Sequence, residues 1–306
     1  MNLYAGLCTS FLLIWVTLLF SRNEVFASLV LMNGALQILL FAAVVCIPLW
    51  RTGRMSYVDI AWPFGVATIG ALVLALADGS DFRRWTVGAV YLFIGLRMGL
   101  GALSLARATG MIFEREFPRY SYRRMVLEQS GTRHVGLQMQ VDVLTQGFAN
   151  MSVLALPAFL IATNKSTSIS GWEILGLGIW GLAYTLESVA DAQKMAFISK
   201  PKNRGAVCNV GLWRYSRHPN YFSEWLVWSG VALASGPSWM ALRAVEWPLI
   251  WWVSGLGVLG ACLMMYLTLV YLTGAIPSEY YSVQKRPDYA AYQNTTNIFF
   301  PWFPKA

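Results

Sequence analysis

The sequence predicts an all-α integral membrane protein, a multi-span helical bundle of about seven or eight transmembrane helices. Hydrophobic residues make up 57% of the 306 residues and charged residues 12%, about half of the charged share of a soluble domain. The apolar residues form runs long enough for a helix to cross a hydrocarbon core. These features exclude a disordered chain, a coiled-coil rod and a disulfide-stapled secreted domain, and they argue against a soluble enzyme.

Eight apolar stretches are candidate spans when the chain is read for helices of this length. They run over residues 3–20, 26–50, 57–77, 85–106, 147–163, 171–190, 221–235 and 248–273. The first is predicted to be a span and not a signal peptide, because no basic segment precedes it and no small-residue cleavage pattern follows it.

The basic residues favour an even number of spans. With both termini on one side, that side carries 17 of the 23 Lys and Arg residues, the other side carries five, and Arg97 lies inside the fourth span. Cytoplasmic loops of membrane proteins carry an excess of Lys and Arg, so both termini are predicted to be cytoplasmic. The net charge of +8 then reflects topology, and no nucleic-acid partner is expected.

No metal site, haem site or disulfide framework is expected. The four cysteines are far apart without a CxxC spacing, and the chain has only two histidines. Metal sites of the zinc type need these residues in closely spaced groups.

Two further patterns have structural interpretations. The basic and aromatic part of 107–146 is predicted to include a helix on the cytoplasmic membrane surface, with a solvated loop anchored to headgroups as the alternative. Two GxGxxG matches begin at Gly176 and Gly255, inside predicted spans, whereas a dinucleotide-binding turn needs a preceding strand. These glycines, and Gly95 with Gly99, are expected to let helices approach closely.

Asp59 and Arg97 are candidate catalytic residues because ionisable groups in apolar spans are costly and usually functional. They lie in the third and fourth spans, which are antiparallel neighbours, and so at similar depth. One interpretation is a structural ion pair. The other is a polar pocket in which Asp59 contacts a substrate oxygen and Arg97 tunes its acidity.

Glu187 and Asp191 are four residues apart and therefore share one face at the end of the sixth span. Carboxylates at this spacing repel each other, so a basic group or a donor-rich ligand is expected between them. Lys194 is the candidate base, and a ribose or a carboxamide would serve equally.

Residues 199–225 contain the densest group of polar and aromatic side chains. Its members are Lys200, Lys202, Arg204, Trp213, Arg214, Tyr215, Arg217, His218, Asn220, Tyr221 and Glu224. Basic groups suit the phosphates of a nucleotide, and aromatic groups suit its rings. A topological role explains the lysines, but not Asn220 and Glu224 at the mouth of an apolar span. The tail has matching character, with Tyr289 and Tyr292 on one helical face.

Three segments together resemble the steroid 5-alpha-reductase-like membrane family, and more narrowly its bacterial branch, DUF1295. They are GLWRYSRHPNYFSEW at 211–225, VDIAWP at 58–63 and RPDYAAYQNTTNIFFPWFP at 286–304. The likeness covers roughly residues 55–306. Residues 1–50 are accordingly predicted to be additional transmembrane helices and residues 51–306 the reductase domain, and the bacterial branch implies an inner-membrane location.

The resemblance implies an NADPH-dependent reductase of an activated C=C bond in a hydrophobic, steroid-like or isoprenoid substrate. Asn220 and Glu224 match the family's cofactor-binding Asn and Glu, Asp191 matches an Asp at the end of the preceding span, and Tyr292 matches a tail Tyr. Asp59 stands where steroid reductases carry a catalytic Glu. The remaining residues predicted to bind the cofactor are Glu187, Lys194, Lys202, Arg204, Tyr215, Arg217, His218, Tyr221 and Tyr289.

The chain departs from the steroid reductases in the fourth span. Those enzymes pair their catalytic Glu with a Tyr of the next helix, whereas this chain has Arg97 and Met98 there, and Tyr91 is nearly two turns away. The proton donor is thus unassigned. Either Asp59 is protonated and donates to a substrate carbonyl as hydride reaches the β-carbon, or Arg97 pairs with it and keeps it ionised.

The alternative enzyme class is a membrane methyltransferase of the isoprenylcysteine carboxyl type, which also carries an R-HP-Y segment and binds S-adenosylmethionine. The five Lys and Arg residues within 200–217 favour NADPH, since its phosphates need charge that S-adenosylmethionine does not. A transporter or lipid-binding protein predicts an internal repeat, and the sequence contains none.

Overall fold

The regular structure of the chain is helical, as expected. The computed structural model describes residues 3–305, and within this range it contains helices and one isolated bridge but no β-strand. Two compact units share the chain. Unit 1 comprises residues 3–174 and 232–261 of the described range, and unit 2 comprises 175–231 and 262–305.

Unit 1 is built mainly from the first eight helices. They are α1 (Leu3–Leu18), α2 (Glu24–Phe41), α3 (Ile47–Thr52), α4 (Val58–Leu76), α5 (Asp81–Thr109), α6 (Pro118–Gln129), α7 (Val135–Met151) and α8 (Leu156–Ala162). A π-helical turn at Ala42–Cys46 joins α2 to α3 without a break. Gly53 and Gly110 end α3 and α5 in the left-handed conformation that glycine adopts without strain.

The remaining helices are α9 (Gly171–Ile198), α10 (Pro219–Leu242), α11 (Pro248–Leu267), α12 (Ala275–Lys285) and α13 (Tyr289–Thr295). The first three each run from one unit into the other, and the last two belong to unit 2. A second π-helical turn, Thr268–Leu272, follows α11. Between α9 and α10 the chain forms a loop with two short 3₁₀ turns.

Within residues 3–305, five helical stretches are long and apolar enough to cross a membrane. They are Glu24–Thr52, Val58–Leu76, Asp81–Thr109, Val135–Ala162 and Pro248–Lys285, and the apolar α1 is shorter. A multi-pass membrane protein fits this set. The spans predicted at 171–190 and 221–235 are helical, in α9 and α10, but acidic, Trp, Gly and Ser residues lower their hydropathy. The count of eight stays a prediction.

One predicted boundary is wrong. The polar segment 107–146 was expected to end where a span begins at 147, but α7 begins at Val135 and its stretch continues to Ala162. In an 18-residue window of this stretch, 83% of the residues are buried within the protein, so polar side chains there can face protein and not water. Asp142, for example, is buried and accepts hydrogen bonds from Arg123 Nε (2.6 Å) and Gln138 Nε2 (2.7 Å). The expected helix within 107–146 is α6.

Buried amides support the backbone at the break between α7 and α8. Asn33 Nδ2 donates to the carbonyls of Asn150 (3.1 Å) and Met151 (3.2 Å), which have no helical partner there. Gln37 Nε2 donates to the Gly65 carbonyl (2.9 Å), and Asn150 Nδ2 donates to the Trp62 carbonyl (2.9 Å). An unsatisfied backbone group at membrane depth costs several kcal/mol, so the two hydrogen bonds from Asn33 stabilise the break between α7 and α8.

Glycines bring α4 and α5 into close contact, as the sequence predicts for Gly95 and Gly99. A Cβ atom on Gly95 would lie 2.3 Å from the Ala67 amide nitrogen, and one on Gly99 would lie 2.9 Å from the Phe64 ring. Both GxGxxG matches lie within helices, α9 and α11, and no strand precedes either.

Replacing Gly95 with alanine is expected to destabilise unit 1 by about 1–3 kcal/mol, because the new methyl group meets backbone atoms that cannot move alone. Gly101 lies on the same helix with open space around it, so Gly101→Ala should be neutral or stabilising by about 0.5–1 kcal/mol. Denaturant unfolding of the two variants in detergent measures the difference. Equal stabilities would contradict the proposed close contact.

Candidate functional site

The acidic and amide residues predicted to bind a cofactor meet between α9 and α10, within unit 2. Asn220, in the first turn of α10, donates from Nδ2 to Asp191 Oδ1 on α9 (3.1 Å). The Oδ1 atom of Asn220 is buried and has no hydrogen-bond partner within residues 3–305. This oxygen is an acceptor available to a ligand that carries N–H or O–H groups.

Two buried glutamates extend this group by one turn on each helix. Glu187 precedes Asp191 on α9, and Glu224 follows Asn220 on α10. Glu224 Oε1 accepts a hydrogen bond from Trp228 Nε1 (2.8 Å). We call Glu187, Asp191, Asn220 and Glu224 the α9–α10 cluster. It is rich in acceptors, so it suits the hydroxyl and amide hydrogens of a ligand or a cation.

Lys194, which was predicted to lie between Glu187 and Asp191, contacts the ring of Trp213. The Lys194 ammonium lies over the Trp213 ring, 4.1 Å from its centroid. Trp213 is buried and donates from Nε1 to the Ala190 carbonyl (2.8 Å), which ties the α9–α10 loop to α9.

Arg217 and His218 form a buried cluster around Glu279 of α12. Arg217 donates to both carboxylate oxygens of Glu279 (2.7 and 3.1 Å), and His218 Nε2 lies 3.0 Å from Oε1. Gln293 Nε2 donates to the same carboxylate (2.7 Å). The second terminal nitrogen of Arg217 donates to the carbonyls of Gln293 and Thr296. We call this group the Glu279 clamp, and it joins the loop before α10 to the tail.

The four tyrosines predicted to bind the cofactor differ in exposure. Tyr292 is buried, and its hydroxyl donates to the carbonyls of Trp213 and Ser216. The ring of the buried Tyr289 packs edge-on against Tyr292 (5.8 Å between centroids). Tyr221 stacks on His218 (5.1 Å), and Tyr215 is exposed.

Burial favours the neutral forms of the histidine and tyrosine side chains in and around the clamp. It lowers the pKa of the His218 imidazole, although the Glu279 carboxylate opposes this shift. Burial also raises the pKa of the Tyr289 and Tyr292 phenols. A neutral His218 donating from Nε2 leaves the guanidinium of Arg217 as the counter-ion of Glu279.

Other basic residues of the loop remain on the surface. Lys200, Lys202, Arg204 and Arg214 are exposed, around the 3₁₀ turns Pro201–Asn203 and Gly211–Arg214. The loop's basic residues therefore divide into a buried structural arginine, Arg217, and exposed groups that can meet an anion in solvent.

Asp59 lies in unit 1, in the first turn of α4, and its carboxylate accepts hydrogen bonds from two α6 side chains. Arg119 donates from a terminal nitrogen (2.6 Å), and the Tyr120 hydroxyl donates at 2.9 Å. Asp59 and Arg119 are 20% and 28% exposed, whereas Tyr120 is buried. Burial, and secondarily Asp59, raises the pKa of the Tyr120 phenol well above its usual value. Arg97, the predicted partner of Asp59, is half-buried on α5 between Gly95 and Gly99.

Sequence reasoning did not single out Glu279, Arg119 or Tyr120. Glu279 follows closely after the last apolar run of the sequence. A carboxylate at such a position needs a basic partner, and this requirement could have pointed to Glu279. The tyrosine that donates to Asp59 lies on α6, in the REFPRYSYRRM segment, for which the sequence predicts a membrane-surface helix or a loop. Within residues 3–305 no group of His, Cys, Asp and Glu is arranged to hold a metal ion.

Comparisons with known proteins bear on this site. The model of the family described as "Protein of unknown function (DUF1295)" matches residues 46–296. The chain is 22% identical over 171 residues to the uncharacterized protein C594.04c of Schizosaccharomyces pombe, a match covering 50% of this chain and 46% of that protein. It is 35% identical over 83 residues to the probable O-methyltransferase ustE of Ustilaginoidea virens, covering 24% and 29%. The chain thus spans under half of either relative, and no solved structure matches it significantly.

Proposed function

This chain belongs to the DUF1295 family, and from that premise and the α9–α10 cluster we propose that it is an NADPH-dependent membrane reductase. The proposed reaction reduces an activated C=C bond of a hydrophobic lipid, steroid-like or isoprenoid. The observation that carries the proposal is the contact between Asn220 and Asp191, with a buried amide oxygen left without a partner.

The residues of the cluster fit the polar groups of NADPH. The free Asn220 oxygen would accept from the nicotinamide carboxamide or from a ribose hydroxyl, and Asp191, Glu187 and Glu224 would accept from ribose hydroxyls. The exposed Lys202 and Arg204 would bind phosphates, the arginine in bidentate fashion. Bound NADPH would supply the hydride.

The Glu279 clamp changes the roles proposed for Arg217, His218 and Tyr292. Their polar groups are engaged with Glu279 or with backbone carbonyls, so we propose that they position the loop and do not bind phosphate directly. Asn220 follows Arg217 by three residues, and the clamp therefore holds the start of α10. Lys194, Tyr215, Tyr221 and Tyr289 stay proposed cofactor neighbours.

On the substrate side, the proposal keeps Asp59 and adds its α6 partners. Asp59 accepts two hydrogen bonds, which suits a carboxylate that orients donors. Arg119 carries a permanent charge and is partly exposed, so we assign it, with Arg97, to stabilising negative charge on a substrate oxygen. The neutral Tyr120 phenol is proposed to orient Asp59, and the proton that the substrate carbon takes up is not assigned to a residue.

The proposed arrangement in the membrane follows the charge distribution. It has eight spans, cytoplasmic termini and a cofactor site on the cytoplasmic side of a bacterial inner membrane. Residues 1–50 are proposed to add helices to the reductase domain at 51–306.

The second candidate is an S-adenosylmethionine-dependent membrane methyltransferase. The similarity to the probable O-methyltransferase of U. virens, which covers 24% of the chain, favours this second candidate. The carboxylates of the α9–α10 cluster would also suit a cationic ligand. The exposed basic residues of the loop favour NADPH over this ligand.

Ligand-dependent thermal stability distinguishes the two candidates. The detergent-purified protein is melted with NADPH, NADH or S-adenosylmethionine, each at about a hundred times a plausible Kd, which corresponds to a stabilisation of about 2.7 kcal/mol. We expect a shift with NADPH. A shift with S-adenosylmethionine alone would make the protein a methyltransferase, and no shift with any ligand would contradict both candidates.

The variant Asn220→Ala locates the site. It is expected to weaken NADPH binding about tenfold or more while changing the melting temperature of the free protein little, since its lost contact is one hydrogen bond. Asn294→Ala, at an exposed position of α13, is the matched control. NADPH binding unchanged in Asn220→Ala would remove the α9–α10 cluster from the cofactor site.

A further inference from the structure

A cavity lined by both charged and apolar side chains lies in unit 1, between the turns after α1 and α4, the segment after α8 and the end of α10. Its volume is about 650 Å³, within the range of about 300–1,000 Å³ typical of small-molecule sites. Charged groups of both signs line it, among them Arg22, Glu24, Asp78, Lys165 and Glu246. None of these residues belongs to the proposed reductase site.

Glu246 lines this cavity, and both of its carboxylate oxygens accept hydrogen bonds. The buried carboxylate accepts from the backbone nitrogens of Arg22 (3.1 Å) and Asn23 (3.1 Å) and from the Ser21 hydroxyl. This arrangement fixes the turn between α1 and α2. It also places the Arg22 guanidinium over the Trp247 ring, 3.5 Å from the centroid.

Two groups in the cavity have unused hydrogen-bonding capacity. The Arg22 guanidinium donates to no acceptor in the described part of the chain, and its contact there is the ring of Trp247. Asp78 Oδ2 pairs with Lys165 (2.6 Å), but its Oδ1 is buried and has no hydrogen-bond partner among residues 3–305. The cavity thus offers a donor for an anion and an acceptor for a cation.

An apolar groove of about 540 Å³ includes Trp247 in its lining, next in sequence to Glu246 of the cavity. It is lined by Val16, Phe20, Trp247 and Leu249, among others, and all four are exposed apolar side chains. Arg22, which lines the cavity, lies over the Trp247 ring, so a residue of the charged cavity contacts a residue of the apolar groove. An acyl chain beside a charged headgroup has this distribution of polarity.

We propose that this site binds a glycerophospholipid with an ammonium-bearing headgroup, of the phosphatidylethanolamine type. The phosphate meets Arg22, the primary ammonium meets Asp78, and an acyl chain lies in the groove along Val16 and Leu249. Charge complementarity selects this occupant. An anionic headgroup without an ammonium brings no charged donor to Asp78 Oδ1, and a quaternary ammonium has no N–H to donate to it.

Native mass spectrometry of the full-length, delipidated protein in detergent tests the proposal. Phosphatidylethanolamine, phosphatidylglycerol and phosphatidylcholine with the same chains are titrated, with phosphoethanolamine as the probe without chains. We expect phosphatidylethanolamine to bind at least about tenfold more tightly than the others, about 1.4 kcal/mol. Equal affinities for the three lipids, or equally tight binding of phosphoethanolamine, would overturn the proposal.

Variants separate the two halves of the site. Arg22→Gln should weaken all three lipids, Asp78→Asn should weaken phosphatidylethanolamine alone by about tenfold, and Val16→Trp should weaken all by filling the groove. Arg51→Gln and Asp81→Asn, exposed positions elsewhere in unit 1, are the controls.

Arg22 and Val16 are exposed, so their variants are expected to fold, and melting temperatures establish this first. Lys165→Gln is a second test at Asp78. It removes the ammonium that competes for this carboxylate and should leave phosphatidylethanolamine binding equal or tighter. Weaker binding in Lys165→Gln, or binding in Arg22→Gln equal to that of Arg51→Gln, would overturn the assigned contacts.

Discussion

Replacing Glu279 with alanine is expected to destabilise unit 2 by about 3–5 kcal/mol. The substitution removes the carboxylate that Arg217, His218 and Gln293 share, and it leaves a buried guanidinium without a counter-ion. An uncompensated buried charge costs far more than a lost surface pair. Because the clamp joins the tail to the loop before α10, NADPH binding should fall with it.

The control for this substitution is Asp288→Ala, an exposed carboxylate of the same tail that caps no helix with its side chain. Denaturant unfolding of both variants in detergent gives the difference in stability. The double variant Arg217→Met with Glu279→Met should recover much of the loss, since it buries no lone charge. A Glu279→Ala protein as stable as Asp288→Ala would show that the clamp is not structural.

Arg83→Ala is expected to lower the free energy of unfolding of unit 1 by about 3–5 kcal/mol. The reason is the same with the charges reversed, because this substitution removes the cation of a buried ion pair. Arg83 is buried, and its guanidinium donates to both oxygens of Glu173 (2.5 and 2.9 Å). It also donates to the carbonyls of Ser166 and Ser168 (the latter at 2.6 Å). Its removal leaves the buried Glu173 carboxylate without a counter-ion, although the Ser170 N–H still donates to it, and it takes a donor from two backbone carbonyls.

The neighbouring residue provides the control. Arg84 pairs with Asp81, whose side chain is 84% exposed, so Arg84→Ala should cost about 0–1 kcal/mol. Unfolding measurements compare the two variants. Arg83 holds the segment that carries Lys165 and Ser166, which line the lipid cavity, so phosphatidylethanolamine binding should fall in Arg83→Ala only. Equal stability of the two variants would refute the role given to Arg83.

The sequence was informative where a pattern is local. Runs of apolar residues predicted the helices, and the four-residue spacing of Glu187 with Asp191 predicted that these two side chains share a face of α9. It was not informative where a partner is distant in the chain. Arg217 and Arg204 look alike in sequence, and only the position of Glu279, 62 residues later, makes one of them structural.

The wrong start of α7 has a similar cause. Asp142 and Gln138 made residues 135–146 look too polar for a span, because hydropathy treats every polar side chain as one that faces water. Arg123, on the preceding helix, satisfies Asp142 inside the protein and removes this cost. Likewise, Asp59 was expected to lie beside Arg97, whereas the partners that hydrogen-bond to its carboxylate, Arg119 and Tyr120, lie about 60 residues away in sequence.

The contact between Glu246 and the turn after α1 has a consequence for biosynthesis. The backbone donors of Arg22 and Asn23 find their acceptor 224 and 223 residues later in the chain. At about 5–20 residues per second, translation takes roughly 11–45 s to supply it. During this interval the first helical hairpin has an unfinished turn, and the membrane insertion machinery has time to act on it. A chain that ends before residue 246 would therefore lack the acceptor of this turn.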